Sequence, residues 1–148
     1  MVSKTHKIFL LILILTLTAT AVSACSTFQK DKVHLYMLPM DQMSEDVQAA
    51  PVAVQQAYQF ASINRDIMKD IPCYCGCGKV GHTSNYDCYV SNIDDKGVIT
   101  FDNHALGCSI CVDITQDVMR MLRDGESPQD ARVYVDATYS KYGTSNIP

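Results

Sequence analysis

Tryptophan is absent from the 148 residues, no run of lysine and arginine occurs, and Lys and Arg number 12 against 16 Asp and Glu. A nucleic-acid partner is therefore not expected, because such partners demand a clustered basic surface. Anionic lipid is not expected to hold the chain by charge either. No Ser-His-Asp grouping, phosphate-binding loop or paired-carboxylate arrangement can be argued from the spacing, so no residue is assigned a catalytic role and no enzyme is expected. A c-type haem is excluded because no Cys-x-x-Cys-His occurs: Val112 follows Cys111. No internal repeat is present. The balance of 47% hydrophobic and 19% charged residues is that of a globular chain, not of a disordered tail.

Long apolar runs are also missing, with one exception. After Lys4 and Lys7, residues 8–22 (IFLLILILTLTATAV) are almost unbrokenly hydrophobic. A basic start followed by an apolar stretch of this length reads as an export signal, too short for a membrane span. It ends in Val22-Ser23-Ala24-Cys25, which looks like a bacterial lipobox with Cys25 as the acylated residue. The alternatives are ordinary cleavage, which leaves Cys25 a spare thiol, and an uncleaved anchor helix with nearly the same address. On the lipoprotein reading, residues 1–24 are the signal peptide, 25–50 a polar tether broken by Pro39, and 51–148 a Cys/His-rich domain. The domain is then held by lipid on the extracytoplasmic face of a bacterial membrane. Losing Lys4 and Lys7 and no acid takes the net charge from −4 to −6. About 120 residues form one domain with a modest core.

Within that domain the pattern is mainly helical. Pro51 suits a first helical position, and Val54, Tyr58, Ala61 and Ile67 or Met68 recur at three-to-four spacing. A helix is therefore expected from near Pro51 to near Ile71, where Pro72 ends it. Residues 89–101 read as two short strands around an Asp94-Asp95-Lys96-Gly97 turn. A second helix is expected from about Cys108 to Asp124, with Ile110, Ile114, Val118, Met121 and Leu122 buried and Gly125 as its stop. The third opens with Ser127 as N-cap and Pro128 at the first position, and ends at Gly143. It faces Ala131, Tyr134, Val135, Thr138 and Tyr142 inward. The expected fold is small α+β, mainly α: about three helices, a short β-hairpin and an irregular Cys/Gly-rich loop.

Pro72 to Asp87 (PCYCGCGKVGHTSNYD) has three glycines and no apolar period, so burial is not expected to hold its shape. Six cysteines follow Cys25, at 73, 75, 77, 88, 108 and 111, and His82 and His104 lie in the same stretch. Three structural disulfides suit an exported protein. They would pair Cys73, Cys75 and Cys77 with Cys88, Cys108 and Cys111, because alternate residues of an extended chain sit roughly 6–7 Å apart and bridge poorly. A metal site instead uses all eight side chains. Thiolates and imidazoles suit Zn(II), and thiolates packed as densely as Cys-x-Cys-x-Cys suit Cu(I). Gly76 and Gly78 would let the backbone fold tightly around an ion. Thiol redox exchange through Cys108-x-x-Cys111 is a third reading, although the helical pattern after it argues against a thioredoxin-like fold. Met37, Met40 and Met43, beside His34, are candidate auxiliary thioether ligands, or else adaptable apolar contacts.

These residues carry a resemblance. Pro72-Cys73-Tyr74-Cys75-Gly76-Cys77, Gly81-His82, Asp87-Cys88, His104-Ala105, Cys108-Ser109-Ile110-Cys111-Val112-Asp113-Ile114 and Gly125-Glu126-Ser127-Pro128 resemble the bacterial lipoproteins named after their PCYCGC motif. The likeness spans roughly residues 51 to 143 and leaves out the methionine tether. It implies a lipid-anchored exported protein with this Cys/His set, and no particular reaction. The leading expectation is a soft-metal-binding protein, Cu(I) ahead of Zn(II), for sequestration, delivery or sensing. Its ligands are drawn from Cys73, Cys75, Cys77, His82, Cys88, His104, Cys108 and Cys111, and its partner is a metal-transport or redox protein. The alternatives are a disulfide-stapled interaction domain and a thiol-disulfide carrier.

Overall fold

The computed structural model describes residues 34–147; the signal stretch, Cys25 and the start of the tether lie outside them. The described elements are α1 (Glu45–Gln48), α2 (Val52–Ile63), α3 (Arg65–Met68), β1 (Val90–Ile93), β2 (Ile99–Phe101), α4 (Ser109–Arg123) and α5 (Pro128–Tyr139), with short 3-10 turns between them. The fold is mainly α with one antiparallel hairpin, as the periodicity implies. Among the described residues no helix is long and apolar enough to cross a membrane.

Helix α4 is the central element, packed against α2 on one side and α5 on the other. Ile114, Val118 and Leu122 recur along its buried stripe, and Cys111, Val112, Thr115 and Met119 widen it. Its end is set by Gly125, whose amide donates to Leu122 O at 3.0 Å while Glu126 donates to Met121 O at 2.9 Å. Helix α5 starts with a complete capping box: the Asp130 amide donates to Ser127 Oγ at 3.1 Å, and the Ser127 amide donates to Asp130 Oδ2 at 3.3 Å. Its inward residues are Ala131, Val135 and Tyr139. Tyr142, expected inside, is exposed, because the chain leaves the helical period after Tyr139 for a 3-10 turn, Ser140–Tyr142.

Two expectations need correction. The helix foreseen between Pro51 and Ile71 is interrupted at Asn64, which leaves helical geometry (φ −105°, ψ 44°). Its side-chain amide donates to Phe60 O at 2.7 Å and Tyr36 O at 2.9 Å. Pro51 is the residue before the helix, not its first. The second half of the expected tether is part of the folded body: Leu38, Met43 and Val47 are buried in the core, and the Leu38 amide donates to Gln59 O at 2.9 Å. Met37 and Met40 pack against the same core. The three methionines thus take the apolar-contact role in the fold.

The hairpin pairs Val90 with Phe101, Asn92 with Thr100 and Ile93 with Ile99, with an irregularity at Ser91. Its turn is closed by Asp94, whose Oδ1 accepts from the amides of Lys96 (2.9 Å) and Val98 (2.8 Å). The hairpin returns the chain at Asp102 beside Tyr89, the Asp102 amide donating to Tyr89 O at 2.9 Å. Residues 102–108 therefore run back toward the Cys-rich loop.

Candidate metal centre

Three pieces of chain build the centre: the loop 72–89, the 3-10 turn His104–Leu106 that follows β2, and the first turn of α4. The loop is closed at its base by the Asn85 amide, which donates to Ile71 O at 2.8 Å. Gly76 (φ 87°) and Gly81 (φ 95°) bracket the turn Cys77–Val80 in the left-handed region that other residues adopt at a cost. Of the two glycines singled out from the sequence, Gly76 has positive φ and Gly78 does not; Gly81 supplies it at the other end. Asp87 Oδ2 gathers the Thr83 amide (2.7 Å), the Thr83 hydroxyl (2.9 Å) and the Ser84 amide (3.1 Å). Contrary to expectation, burial also contributes: Cys73, Tyr74, Cys77, Ser84, Asn85 and Tyr86 are all buried.

All six cysteines of the described residues are free thiols, and seven of the eight expected ligands fall into two groups. Cys75, His104, Cys108 and Cys111 form one, and Cys73, Cys77 and Cys88 the other, the ligand atoms of each lying within 4.8 Å of one another. The groups touch. Cys73 Sγ lies 3.4 Å from both Cys75 Sγ and Cys111 Sγ, Cys75 Sγ lies 3.6 Å from Cys111 Sγ and 3.4 Å from His104 Nε2, and Cys77 and Cys88 are 3.7 Å apart. Two sulfurs on one tetrahedral ion, with metal–sulfur bonds of about 2.3 Å, are about 3.8 Å apart. The thiols are thus spaced much as an ion would space them. Cys73 and Cys75, poor disulfide partners, can meet as ligands because this needs only converging side chains.

His82 joins neither group. Its Nε2 lies 3.5 Å from Asp102 Oδ2 and its ring stands edge-on to His104, centroids 5.2 Å apart. Its Nδ1 is buried with no hydrogen-bond partner among the described residues. Asp102 in turn accepts the His104 amide on Oδ1 at 2.8 Å, and its carbonyl accepts the Tyr58 hydroxyl at 2.6 Å. The pair His82–Asp102 therefore shapes the turn that presents His104.

The exposures differ between groups. Cys73 and Cys88 are 0% exposed and Cys77 is 2% exposed, whereas Cys75, His104 and Cys108 are only partly buried. A cleft of about 460 Å³ lined by Gly76, Lys79, Gly143, Ser145 and Asn146 reaches Cys75. A second, of about 270 Å³, runs past Leu106, Gly107 and Val54 to Cys108.

The thiols shift one another's ionisation in both directions. Burial, then Cys111 and Cys73, push Cys75 well up; contacts with Cys111, Cys73 and Cys77, then burial, do the same to Cys88. Hydrogen bonds from Cys73 and Cys88 bring Cys111 down to about 6 against the opposing effect of burial. Cys73 is lowered too: its contact with Cys111 opposes this, but those with Cys77 and Cys88 outweigh it. Negative charge is thus favoured at Cys73 and at Cys111, the latter in the first turn of a helix whose dipole suits it, while thiolates at Cys75 and Cys88 call for cations.

Several residues of the centre escaped the sequence reading. Asn85, Tyr89 and Thr115 form a buried network under Cys111: the Tyr89 hydroxyl donates to Cys111 O at 2.8 Å and contacts Thr115 Oγ1 at 2.7 Å, and Asn85 Nδ2 donates to Thr115 Oγ1 at 2.9 Å. Asn146 clamps the loop from the C-terminal segment. Its Oδ1 accepts the Cys73 amide at 2.7 Å, its Nδ2 donates to Ser84 O at 3.0 Å and Cys77 Sγ at 3.4 Å, and its amide donates to Cys73 O at 3.1 Å. Only Asp102, two residues before His104, had a local signal, since Asp side chains bond the backbone two residues on.

Comparison with curated proteins and with solved structures finds no match to the chain. A family-level sequence model matches residues 13–146, spanning the cysteine cluster and both helices behind it. With that match and the motif at Pro72–Cys77, the chain belongs to the family described as "Protein of unknown function with PCYCGC motif".

Proposed function

We propose that this protein binds a soft metal ion through the cysteine cluster, outside the cytoplasm and anchored by lipid at Cys25, and that it sequesters, delivers or senses the ion and catalyses no reaction. The observation that carries the reading is the convergence of six thiols and one imidazole from three chain segments into two groups of metal-binding dimensions. Cu(I) is the preferred ion, because six of the seven donors are soft sulfurs and one group offers sulfur alone. Zn(II) is the second reading, favoured by the Cys3His composition of the other group. The partly buried side of that group suits handover to a metal-transport or redox partner.

The test is a pair of intact masses, native and denatured, on protein purified anaerobically from cells grown with copper or with zinc. The expected result is a native mass carrying metal and a denatured mass with six free thiols beyond Cys25. A metal-free protein lighter by about 2 Da for each of three bridges would replace this reading with the disulfide one. Alkylation of Cys108 or Cys111 well below pH 8 in a chain that binds no metal would favour the thiol carrier instead.

A further inference from the structure

We propose that the two ligand groups are one binuclear centre in which the Cys111 thiolate is shared by both ions. This rests on the soft-metal reading above and adds to it the number of ions and what joins them. Cys75, His104, Cys108 and Cys111 supply four donors, which completes the shell of a tetrahedral ion. Cys73, Cys77 and Cys88 supply three and leave that shell one short. His82 does not fill the gap, since it joins neither group and turns Nε2 to Asp102. Asn146 does not either: its Nδ2 donates to Cys77 and Ser84, and its Oδ1 is taken by the Cys73 amide.

The donor at hand is Cys111. Its sulfur lies 3.4 Å from Cys73 in the three-thiol group and 3.6 Å from Cys75 in its own, both close to the sulfur spacing around one ion. It also interacts with Cys88 on the first side and Cys108 on the second. Seven donors with one shared make two four-coordinate sites and leave no ligand over. The position suits a bridging sulfur: Cys111 is 0% exposed, and it sits in the first turn of the 15-residue helix α4, whose free amides stabilise a thiolate. The Tyr89 hydroxyl and Asn85 amide hold its backbone from below. Cys75 is the competing bridge, as it too lies 3.4 Å from Cys73, but its sulfur is half-buried and already meets His104. Metal loading would exchange thiol protons for ions, one leaving for each cysteine still protonated when it coordinates, with no change of oxidation state.

The experiment loads the full chain, reduced and solubilised in detergent, with cadmium-113 as a soft tetrahedral probe. Two ions per chain are expected, giving two cadmium resonances split by coupling through the shared sulfur. Two unsplit resonances, or a single ion per chain, would overturn the shared thiolate while leaving metal binding intact. A chain that binds no cadmium would overturn the underlying reading as well. Cys108→Ser should lose one ion and the splitting but keep the other ion. Cys111→Ser should weaken retention of both, each by more than about tenfold, since even outer-shell changes cost 10–100-fold. Loss of both ions in Cys75→Ser, with Cys111→Ser losing one, would move the bridge to Cys75 and defeat the proposal. If Cys111→Ser fails to fold, the wild-type splitting still decides whether a thiolate is shared, and loss of both ions in Cys75→Ser would still assign it to Cys75 and defeat the proposal.

Discussion

At the scale of single residues, the C-terminal segment lies against the PCYCGC loop at Gly143 with no room for a side chain. A Cβ on Gly143 would lie 2.7 Å from the carbonyl oxygen of Tyr74, too close for any real side chain, so Gly143→Ala must push the two segments apart. We expect a loss of about 1–3 kcal/mol, the usual cost of overpacking, read as a lower urea midpoint, together with weaker metal retention because Tyr74 lies between two ligands. Asn146→Ala should cost a similar amount, about 1–3 kcal/mol, by leaving the Cys73 amide and Ser84 carbonyl without their partner. The two histidines make a sharper comparison. They are equivalent as sequence, each a soft-site candidate near cysteines, and only the fold separates them: His104 Nε2 meets Cys75, while His82 meets Asp102. His104→Gln should therefore reduce the number of ions bound per chain, and His82→Gln should leave it unchanged. Equal losses in both, by native mass, would place His82 among the ligands after all.

Among the elements, those legible in the sequence were those whose determinants are local. The α5 start follows from Ser127, Pro128 and Asp130 within four residues, and the hairpin from an Asp-Asp-Lys-Gly turn between β-prone segments. The α2–α3 break was not legible, because Asn64 is tied to Tyr36, 28 residues away. The packing of residues 34–50 was hidden for the same reason: Leu38 is fixed by Gln59, through both its amide and its carbonyl. Of the eight side chains that residue type and spacing single out, the fold brings seven together and leaves His82 aside. The network beneath them could not be read that way, since Asn85, Tyr89 and Thr115 have no shared local pattern. That network is bonded to the Cys111 carbonyl in the first turn of α4. Tyr89→Phe removes a fully buried hydroxyl but leaves Thr115 Oγ1 on the Cys111 carbonyl at 3.2 Å. A loss of about 1–2 kcal/mol is expected, with the number of ions unchanged. A loss of ions instead would mean that the network positions the ligand as well as stabilising the helix.

For the molecule as a whole, the centre ties segments that are far apart in sequence, Cys73 meeting Cys111 across 38 positions, so ion binding closes a large part of the chain into loops. Metal removal should raise hydrogen exchange across residues 73–111 while α5 and the later turns of α4, held by Val118, Met119, Leu122 and Val135, stay protected. The pH dependence should differ between the two states on the alkaline side. In the metal-free fold Cys111 is lowered from 9.0 to about 6, so its contribution is fully present above pH 9 and lost as the pH falls toward 6. Cys75 and Cys88 are raised above 9.0, so theirs is fully present below pH 9 and lost as the pH rises beyond it, where the unfolded thiols ionise and the folded ones resist. Buried Tyr58 and Tyr89, raised above 10.0 by desolvation first, add to that alkaline loss. Metal-free protein should therefore be most stable near pH 9 and weaken on both sides. In the loaded protein every ligand sulfur is held as thiolate, so the alkaline loss from Cys75 and Cys88 disappears, that from Tyr58 and Tyr89 remains, and stability also falls at low pH as protons displace the ions. Urea unfolding of both forms from pH 5 to 11 distinguishes them. If added metal leaves the alkaline limb unchanged, the ions are not held by the buried thiols.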